Sequence, residues 1–131
     1  MQDEPKQMSM FERIQRDINV VALLLTSVAV TVEVFFDELS ATSGHDSRLD
    51  AHVANLSESL ADLQTIEYRG RKVAEDISLA LQGSLLVRHG HPAVAEAFLA
   101  TRMARDWGGA FGTLPTGLDL SPILERALVK G

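Results

Sequence analysis

The pattern of apolar residues from Ile66 to Arg88 predicts a central helix that becomes apolar on nearly every side between Ile77 and Val87. One face of this helix is marked by Ile66, Val73, Ile77, Ala80, Leu81, Ser84, Leu85 and Arg88. A surface helix keeps a polar face, so we expect this helix to be buried between neighbours, with Leu81 and Leu85 fully buried. Gly83 costs about 1 kcal/mol relative to Ala within a helix, which indicates that another helix packs closely at that point.

An uncharged stretch of fifteen residues, from Ile18 to Val32, precedes this helix. A membrane-spanning helix needs about 20 apolar residues, and acidic residues follow at once from Glu33. We therefore predict a buried helix, broken near Thr26–Thr31, and keep a membrane span or a signal peptide as alternatives. The run Ser27–Val34 is rich in β-branched residues, which also suit strands.

Capping and turn residues predict where the helices begin and end. Ser9 and Glu12 have the spacing of a capping box, and Gly44 is typical of a helix stop. Asp46 or Ser47 should cap a second helix that extends to about Ala61. Its apolar stripe consists of Leu49, Val53, Leu56 and Leu60.

Glycine and proline also predict the helix ends that follow the central helix. Gly90 should end that helix, and Pro92 suits the first turn of the next, which extends to about Arg105. We expect that next helix to bury Val94, Ala97, Phe98 and Thr101. Ser121 and Pro122 supply a cap and first-turn pair for a last short helix that ends near Val129.

The predicted fold is an all-α helical bundle of about five helices, with a glycine-rich loop before the short last helix. Its 131 residues suit one domain, and a hydrophobic fraction of 46% can supply a core. The glycine-rich loop runs from Trp107 to Leu120. We expect Trp107, Phe111 and Leu114 to pin it to the bundle.

Cysteine content and charge narrow the function. The chain contains no cysteine, which excludes disulfides, thiolate catalysis and cysteine-based zinc sites. A net charge of −6 weighs against a general nucleic-acid binder. The charge is nevertheless polarised, because residues 67–105 carry +2 and the rest of the chain carries −8. The choice between an anion-binding face and an ordinary solvated surface stays open on charge alone.

Short motifs give no catalytic, cofactor or metal site. His89-Gly90-His91 offers two imidazoles but no third metal ligand at a useful local spacing, and it suits a helix end. The segment Gly108–Thr113 contains glycines but not the Gly-Lys-Ser/Thr of a phosphate-binding loop. The sequence neighbours Asp37-Glu38 and Glu75-Asp76 point about 100° apart on a helix, so we interpret them as solvated residues.

Two consecutive segments carry a resemblance to a known family. The first is LALQGSLLVRHGHPAVAEAFLATR and the second, beginning at Trp107, is WGGAFGTLPTGLDLSPILERAL. They join an apolar helix, a Gly-Pro break, a second helix and a Trp/Phe/Gly loop in fixed order. In this respect the chain resembles the C-terminal domain of AidB-type acyl-CoA dehydrogenase homologues, which are flavoproteins of the adaptive response to DNA alkylation. The resemblance covers roughly Asn19 to Leu128.

The resemblance implies a division of the chain into an unrelated or frayed leader, residues 1–18, and an AidB-like helical domain, residues 19–131. The family binds FAD, and its catalytic carboxylate lies in a Trp-Glu-Gly segment ahead of an Asn-Val-rich helix. Here Asn19-Val20-Val21-Ala22-Leu23 resembles the start of that helix, but the Trp-Glu-Gly segment and the β-domain are missing. We therefore expect a cytoplasmic, non-catalytic module with no cofactor in this chain.

Family resemblance also suggests partners. The C-terminal domain in the family is associated with duplex DNA, which implies weak, sequence-independent binding here. The basic residues in the matching segment are Arg69, Arg71, Lys72, Arg88, Arg102 and Arg105. The alternative is a subunit or remnant of a flavin-dependent acyl-CoA dehydrogenase whose catalytic part is encoded elsewhere. In either case we expect a homo-oligomer or a complex with the missing flavoprotein portion.

Overall fold

The computed structural model describes residues 9–104 and 112–128 and confirms the all-α fold. Within these residues there are five α-helices, one π-helical turn and no strand. The α-helices are α1 (Met10–Ser40), α2 (Ser47–Ala61), α3 (Ile66–His89), α4 (Pro92–Phe98) and α5 (Ser121–Ala127). The π-helical turn, Leu99–Met103, continues α4 directly. Contacts divide the chain into two compact units, residues 1–38 and 39–131.

The first unit consists of most of α1, which is one unbroken helix of 31 residues. Ser9 and Glu12 form the predicted capping box, since each backbone N–H donates to the other side chain, at 2.7 and 3.2 Å. The break predicted near Thr26–Thr31 is wrong. The hydroxyls of Thr26 and Thr31 donate to carbonyls one turn earlier, at 2.9 and 2.8 Å, so these residues remain helical without an unpaired polar group.

Burial of α1 was also predicted wrongly. Its one buried residue, Leu39, belongs to the second unit. Apolar side chains along its length, such as Leu24 and Val28, are about 60% exposed. The helix also runs continuously through residues 18 and 19, where the resemblance begins.

The second unit begins with well-formed caps. Gly44 has a φ of +79°, which suits glycine, and its N–H donates to the carboxylate of Asp50 at 3.2 Å. Asp46 is the N-cap of α2 and accepts from the N–H groups of Arg48 and Leu49. Gly90 ends α3 as predicted, and Pro92 occupies the first turn of α4. His91 caps α4, because its Nδ1 accepts from Ala93 N–H at 3.2 Å.

The core of this unit lies where α2, α3 and the π-helical turn meet. Its buried apolar residues are Leu39, Leu49, Leu56, Val73, Ala80, Ala95, Leu99 and Ala100. The close approach predicted at Gly83 is confirmed. A Cβ at that position would lie 2.8 Å from the Met103 methyl carbon and 3.2 Å from Leu49 Cδ1. Beside it, Thr42 Oγ1 lies 3.4 Å from Ser84 Oγ, and both residues are fully buried.

Several burial predictions were wrong in this unit. Leu81 and Leu85 are 36% and 42% exposed, because α2, α4 and the π-helical turn cover only part of α3. In α4 and the following turn the buried residues are Ala95, Leu99 and Ala100. Half-buried instead are Val94, Ala97, Phe98 and Thr101.

The C-terminal segment partly follows the prediction. Residues 112–120 are irregular, as expected, and α5 ends at Ala127. The cap is not Ser121: this residue lies inside the helix, and its N–H is accepted by Asp119 Oδ1 at 3.0 Å. Leu114 is 45% exposed and does not pin the loop. The predicted anchors Trp107 and Phe111 lie outside the described residues.

Candidate functional site

The basic residues suggested for DNA binding do not share one face of α3. At about 100° per residue, its four cations are spread around the whole helix axis. In order around the axis they are Arg69, Arg88, Arg71 and Lys72. Arg102 lies on the π-helical turn, and Arg105 is outside the described residues.

Arg69 stabilises the connection between α2 and α3. Its guanidinium donates to the carbonyls of Ser59 and Asp62, at 3.3 and 3.2 Å, and to the Asp62 carboxylate at 3.1 Å. Its Nε donates to Thr65 Oγ1 at 2.8 Å. The carbonyls at the C-terminal end of a helix lack partners within the helix, so a cation placed there is stabilising. Arg69 therefore has a structural role that the sequence did not reveal.

A polar groove lies between α2, α3 and the π-helical turn, with a volume of about 600 Å³. Its lining residues are Ser47, Arg48, Ala51, His52, Asn55, Lys72, Asp76, Met103 and Ala104. His52 Nε2 lies 3.0 Å from the backbone carbonyl of Asp76 and 4.0 Å from Asp76 Oδ1. Lys72, one helical turn before Asp76, forms an ion pair with the same carboxylate oxygen.

This cluster corrects the prediction that Asp76 is a solvated residue. The residue is 9% exposed, and its carboxylate is held between a lysine and a histidine. Because carbonyl oxygen only accepts, His52 Nε2 carries a proton and donates it to the Asp76 carbonyl. The Asp76 carboxylate is paired with Lys72, as buried polar groups usually have a partner.

A second ionic cluster joins α2 to α4. Arg48 donates to Asp46 and to Glu96, and the shortest bond to each carboxylate is 2.7 Å. These hydrogen bonds hold the pKa of Asp46 and the pKa of Glu96 below their ordinary values and raise the pKa of Arg48. The guanidinium already has two carboxylate partners, so it is not available to a further anion without breaking one of these contacts.

Part of α3 stays uncovered by the other helices, and this side of the helix is largely apolar. A shallow depression of about 420 Å³ runs along the end of α3 and meets α4. It is lined by Gln82, Leu85, Leu86, His89, Gly90 and Phe98. Leu81 lies one turn before Leu85 on the same side of the helix. Leu85, Leu86 and Phe98 make this surface mostly apolar, so it is suited to helix packing.

Among residues 9–104 and 112–128, no three histidine or acidic side chains are arranged to hold a metal ion. His89 and His91 belong to two consecutive helices: His89 ends α3, and His91 caps α4.

By length and composition α1 could cross a membrane, a property that core helices of soluble proteins and signal sequences share.

Sequence reasoning missed the His52–Asp76–Lys72 cluster. Lys72 and Asp76 are one turn apart, which the sequence shows, but His52 comes from another helix, 24 residues away. Only the packing of α2 against α3 brings it there. No family model, curated protein or solved structure matches this chain.

Proposed function

We propose that this chain is the non-catalytic helical module of an AidB-like acyl-CoA dehydrogenase family protein, and that it works by packing against other helices of a larger cytoplasmic assembly. The observation that carries this proposal is the uncovered side of α3. Between Ile77 and Val87 the helix is apolar on nearly every side, yet Leu81 and Leu85 remain 36% and 42% exposed. A helix that is apolar all round is normally covered on all sides, so part of its surroundings is missing.

The residues of the described chain support a non-catalytic role. The Trp-Glu-Gly segment that carries the catalytic carboxylate in the resembled family does not occur in this sequence. The buried carboxylate of Asp76 is paired with Lys72 and lies beside His52, so it serves the packing of α2 on α3. We expect the purified chain to bind no flavin, and an absorption band near that of FAD in stoichiometric amount would contradict this expectation.

The alternative is that this chain is a subunit or remnant of a flavin-dependent acyl-CoA dehydrogenase whose catalytic part is encoded elsewhere. Both interpretations need the same docking surface on α3, and they differ in whether the complex is active. The test uses the flavoprotein portion of an AidB-type protein, expressed without its C-terminal domain and mixed with this chain. Complex formation supports docking, and acyl-CoA oxidation that appears only in the mixture supports the subunit interpretation.

Two matched variants make the docking test specific. The double variant Leu81→Asp/Leu85→Asp places charges on the uncovered side of α3 and should abolish the complex. Tyr68→Asp changes a residue that is 91% exposed elsewhere on the same helix and should leave binding intact. All three positions are exposed, so the chain should still fold, which circular dichroism can verify. Equal binding by wild type and the double variant would overturn the proposal.

Weak, sequence-independent binding to duplex DNA is the second candidate. It rests on the family resemblance and on Arg71, which is exposed and makes no ion pair among the described residues. Phosphate contacts alone give an affinity that falls steeply with salt. We expect Arg71→Ala to lower binding to two unrelated duplexes equally, as measured by fluorescence anisotropy at low salt. Arg69→Ala should instead lower stability, and no binding by wild type at low salt would reject this candidate.

A further inference from the structure

The polar groove between α2, α3 and the π-helical turn has the size and position of a small-molecule site. Its volume of about 600 Å³ is in the range of pockets that hold small ligands, and such pockets often lie between packed helices. One side of the groove is formed by Met103 and Ala104, at the end of the π-helical turn. Single π-helical turns are frequent at functional sites.

The π-helical turn determines which side chains reach the groove. The N–H of Ala104 donates to the carbonyl of Leu99, five residues earlier, at 3.0 Å. The extra residue rotates the side chains that follow it by about 100° relative to a regular α-helix. In this orientation Met103 covers Gly83, and it lines the groove beside Ala104. We name Met103 and Ala104 the apolar wall of the groove.

Two residues on the opposite side of the groove have acceptor atoms that the protein does not use. His52 donates through Nε2 to the backbone carbonyl of Asp76, but its Nδ1 has no partner in the described part of the chain. Asp76 pairs with Lys72 through Oδ1, and its Oδ2 likewise has no partner there. No buried side-chain nitrogen or oxygen of the described residues lacks a partner, so both atoms must reach solvent in the groove that His52 and Asp76 line. Carboxylate oxygen accepts hydrogen bonds, as does Nδ1 of this neutral imidazole.

Hydrogen-bond donors lie at the same end of the groove. Lys72 has three N–H groups, and its side chain is 44% exposed beyond the ion pair with Asp76. Asn55 lines the groove about one turn after His52, and its amide makes no hydrogen bond within residues 9–104 and 112–128. Because α2 and α3 are antiparallel neighbours, Asn55 lies towards Lys72, which precedes Asp76 by one turn. The groove therefore offers donors and acceptors side by side.

We propose that this end of the groove binds the charged head group of a free α-amino acid that has an apolar side chain. The carboxylate of the ligand accepts from Lys72 and Asn55, and its ammonium donates to Asp76 Oδ2 and His52 Nδ1. The apolar side chain of the ligand lies against the apolar wall. This inference goes beyond the proposed function, which concerns the uncovered side of α3.

Charge favours a zwitterion over a simple anion or a simple cation. The charged groups in and beside the groove are two basic and three acidic residues, Arg48, Lys72, Asp46, Asp76 and Glu96. A simple anion would add to this acidic excess, and a simple cation would lie beside Lys72 without an anion of its own. An α-amino acid adds no net charge, and each of its charged groups faces the opposite charge of the Lys72–Asp76 pair.

The experiment titrates the isotope-labelled full chain with L-leucine and follows the side-chain amide signals of Asn55 by NMR. Leucine should shift these signals with a dissociation constant in the millimolar range or below. Isocaproate lacks only the ammonium of leucine, and isopentylamine lacks only the carboxylate. Each should bind more weakly than leucine by about tenfold or more, because hydrogen bonds to charged groups are lost. Glycine should also bind more weakly, since it has no side chain to contact the apolar wall.

Variants measured by calorimetry assign the contacts. Asn55→Ala removes an exposed side chain, so the chain should fold normally and bind leucine roughly two- to tenfold more weakly. Lys72→Gln should weaken binding by about tenfold or more. If circular dichroism shows that this variant does not fold, Asn55→Ala alone decides the test. The control Ser57→Ala changes an exposed residue of α2 outside the groove and should bind as wild type does.

Four outcomes overturn the proposal. Leucine fails to bind at the highest usable concentration, isocaproate binds as tightly as leucine, isopentylamine does so, or leucine binds Asn55→Ala as tightly as wild type. Equal binding of isocaproate would instead assign the groove to simple anions. None of these results bears on the docking of the α3 surface, which the Leu81→Asp/Leu85→Asp variant tests separately.

Discussion

α1 and the α2–α3 pair bury their apolar residues very differently, although both regions are rich in them. Along α1 many apolar side chains are large, and Leu25 is 67% exposed. Between α2 and α3 the absent side chain of Gly83 lets Leu49 approach closely, and the small residues Ala80 and Ser84 on the same helix are fully buried. A high content of apolar residues therefore does not by itself bury a helix. Burial within a small unit needs a close approach between its helices.

The hydrogen bonds of polar side chains also differ between α1 and the second unit. In α1 the hydroxyls of Thr26, Ser27 and Thr31 donate only to the carbonyls of their own helix. In the second unit, Thr42, His52 and Arg48 bridge different segments of the chain. The bonds of His52 and Arg48 hold α2 against α3 and α4.

The largest expected effect contrasts a buried and an exposed leucine. Leu56 is 1% exposed, so Leu56→Ala should lower the free energy of unfolding by about 2–5 kcal/mol. Leu81→Ala should cost less than about 1 kcal/mol in the isolated chain, because Leu81 is 36% exposed. Urea unfolding measures both values. Similar costs for the two variants would show that the uncovered side of α3 is buried in solution.

A buried hydroxyl pair gives the next largest effect. Thr42→Val removes the partner of Ser84 Oγ, which is fully buried, and an unsatisfied buried hydroxyl costs about 1–3 kcal/mol. The double variant Thr42→Val/Ser84→Ala removes both polar groups and should recover much of this loss. A thermal-melt double-mutant cycle tests the coupling. Strict additivity of the two single variants would mean that the hydroxyls do not interact.

Two glycines on α3 should respond in opposite directions to alanine. At Gly83 the added methyl would meet Met103 and Leu49, and overpacking of this kind costs about 1–3 kcal/mol, against a gain in helix propensity of about 1 kcal/mol. We expect a net loss of roughly 1 kcal/mol. At Gly70 a Cβ has no neighbour within 4 Å, so Gly70→Ala should stabilise the chain by up to about 1 kcal/mol. Chemical denaturation of both variants provides the measurement, and equal signs would contradict the packing at Gly83.

The smallest expected effect is a loss of stability in acid from the Arg48 cluster. The pKa values of Asp46 and Glu96 lie below their ordinary values of 3.8 and 4.5, chiefly because each carboxylate accepts hydrogen bonds from Arg48. Their contribution is therefore complete above the ordinary values and is lost as pH falls through the lowered ones. About half of the Glu96 side chain is exposed, so we expect about 1 kcal/mol or less.

The acid effect is measured by comparing urea unfolding of wild type and Glu96→Gln at about pH 7 and about pH 3. Wild type should lose more stability than the variant over this range, because the variant has no carboxylate to protonate at that position. Parallel losses in the two proteins would show that the contact between α2 and α4 does not contribute.

Local signals predicted most helix ends and few of the contacts between helices. Asp46, Gly90 and Pro92 act within a single turn of the chain, so their neighbours in sequence suffice to predict their roles. Ser121 is not the cap because α5 begins one residue earlier than predicted, and Asp119 Oδ1 accepts the N–H of Ser121. The predicted stripe of α2 is confirmed in part: Leu49 and Leu56 are buried, whereas Val53 and Leu60 are half-buried.

The candidate surfaces were predictable to different degrees. The apolar pattern of α3 between Ile77 and Val87 is visible in the sequence, but which of its sides stays uncovered is not. The pairing of Arg69 with the end of α2 and the contact of His52 with Asp76 were not predictable. Each joins residues of different helices, and their distance depends on how α2 lies on α3.

By itself, the sequence determined that this protein is helical, where most of its helices begin and end, and that glycine at position 83 permits a close approach. These properties depend on interactions within a few residues, or on the absence of a side chain. Only the tertiary structure decided which sides of the helices are covered, that Asp76 is buried, and that Leu81 and Leu85 are not. Whether an apolar residue is buried depends on which other segment packs against it. An apolar pattern predicts that some segment does so, but it does not identify that segment.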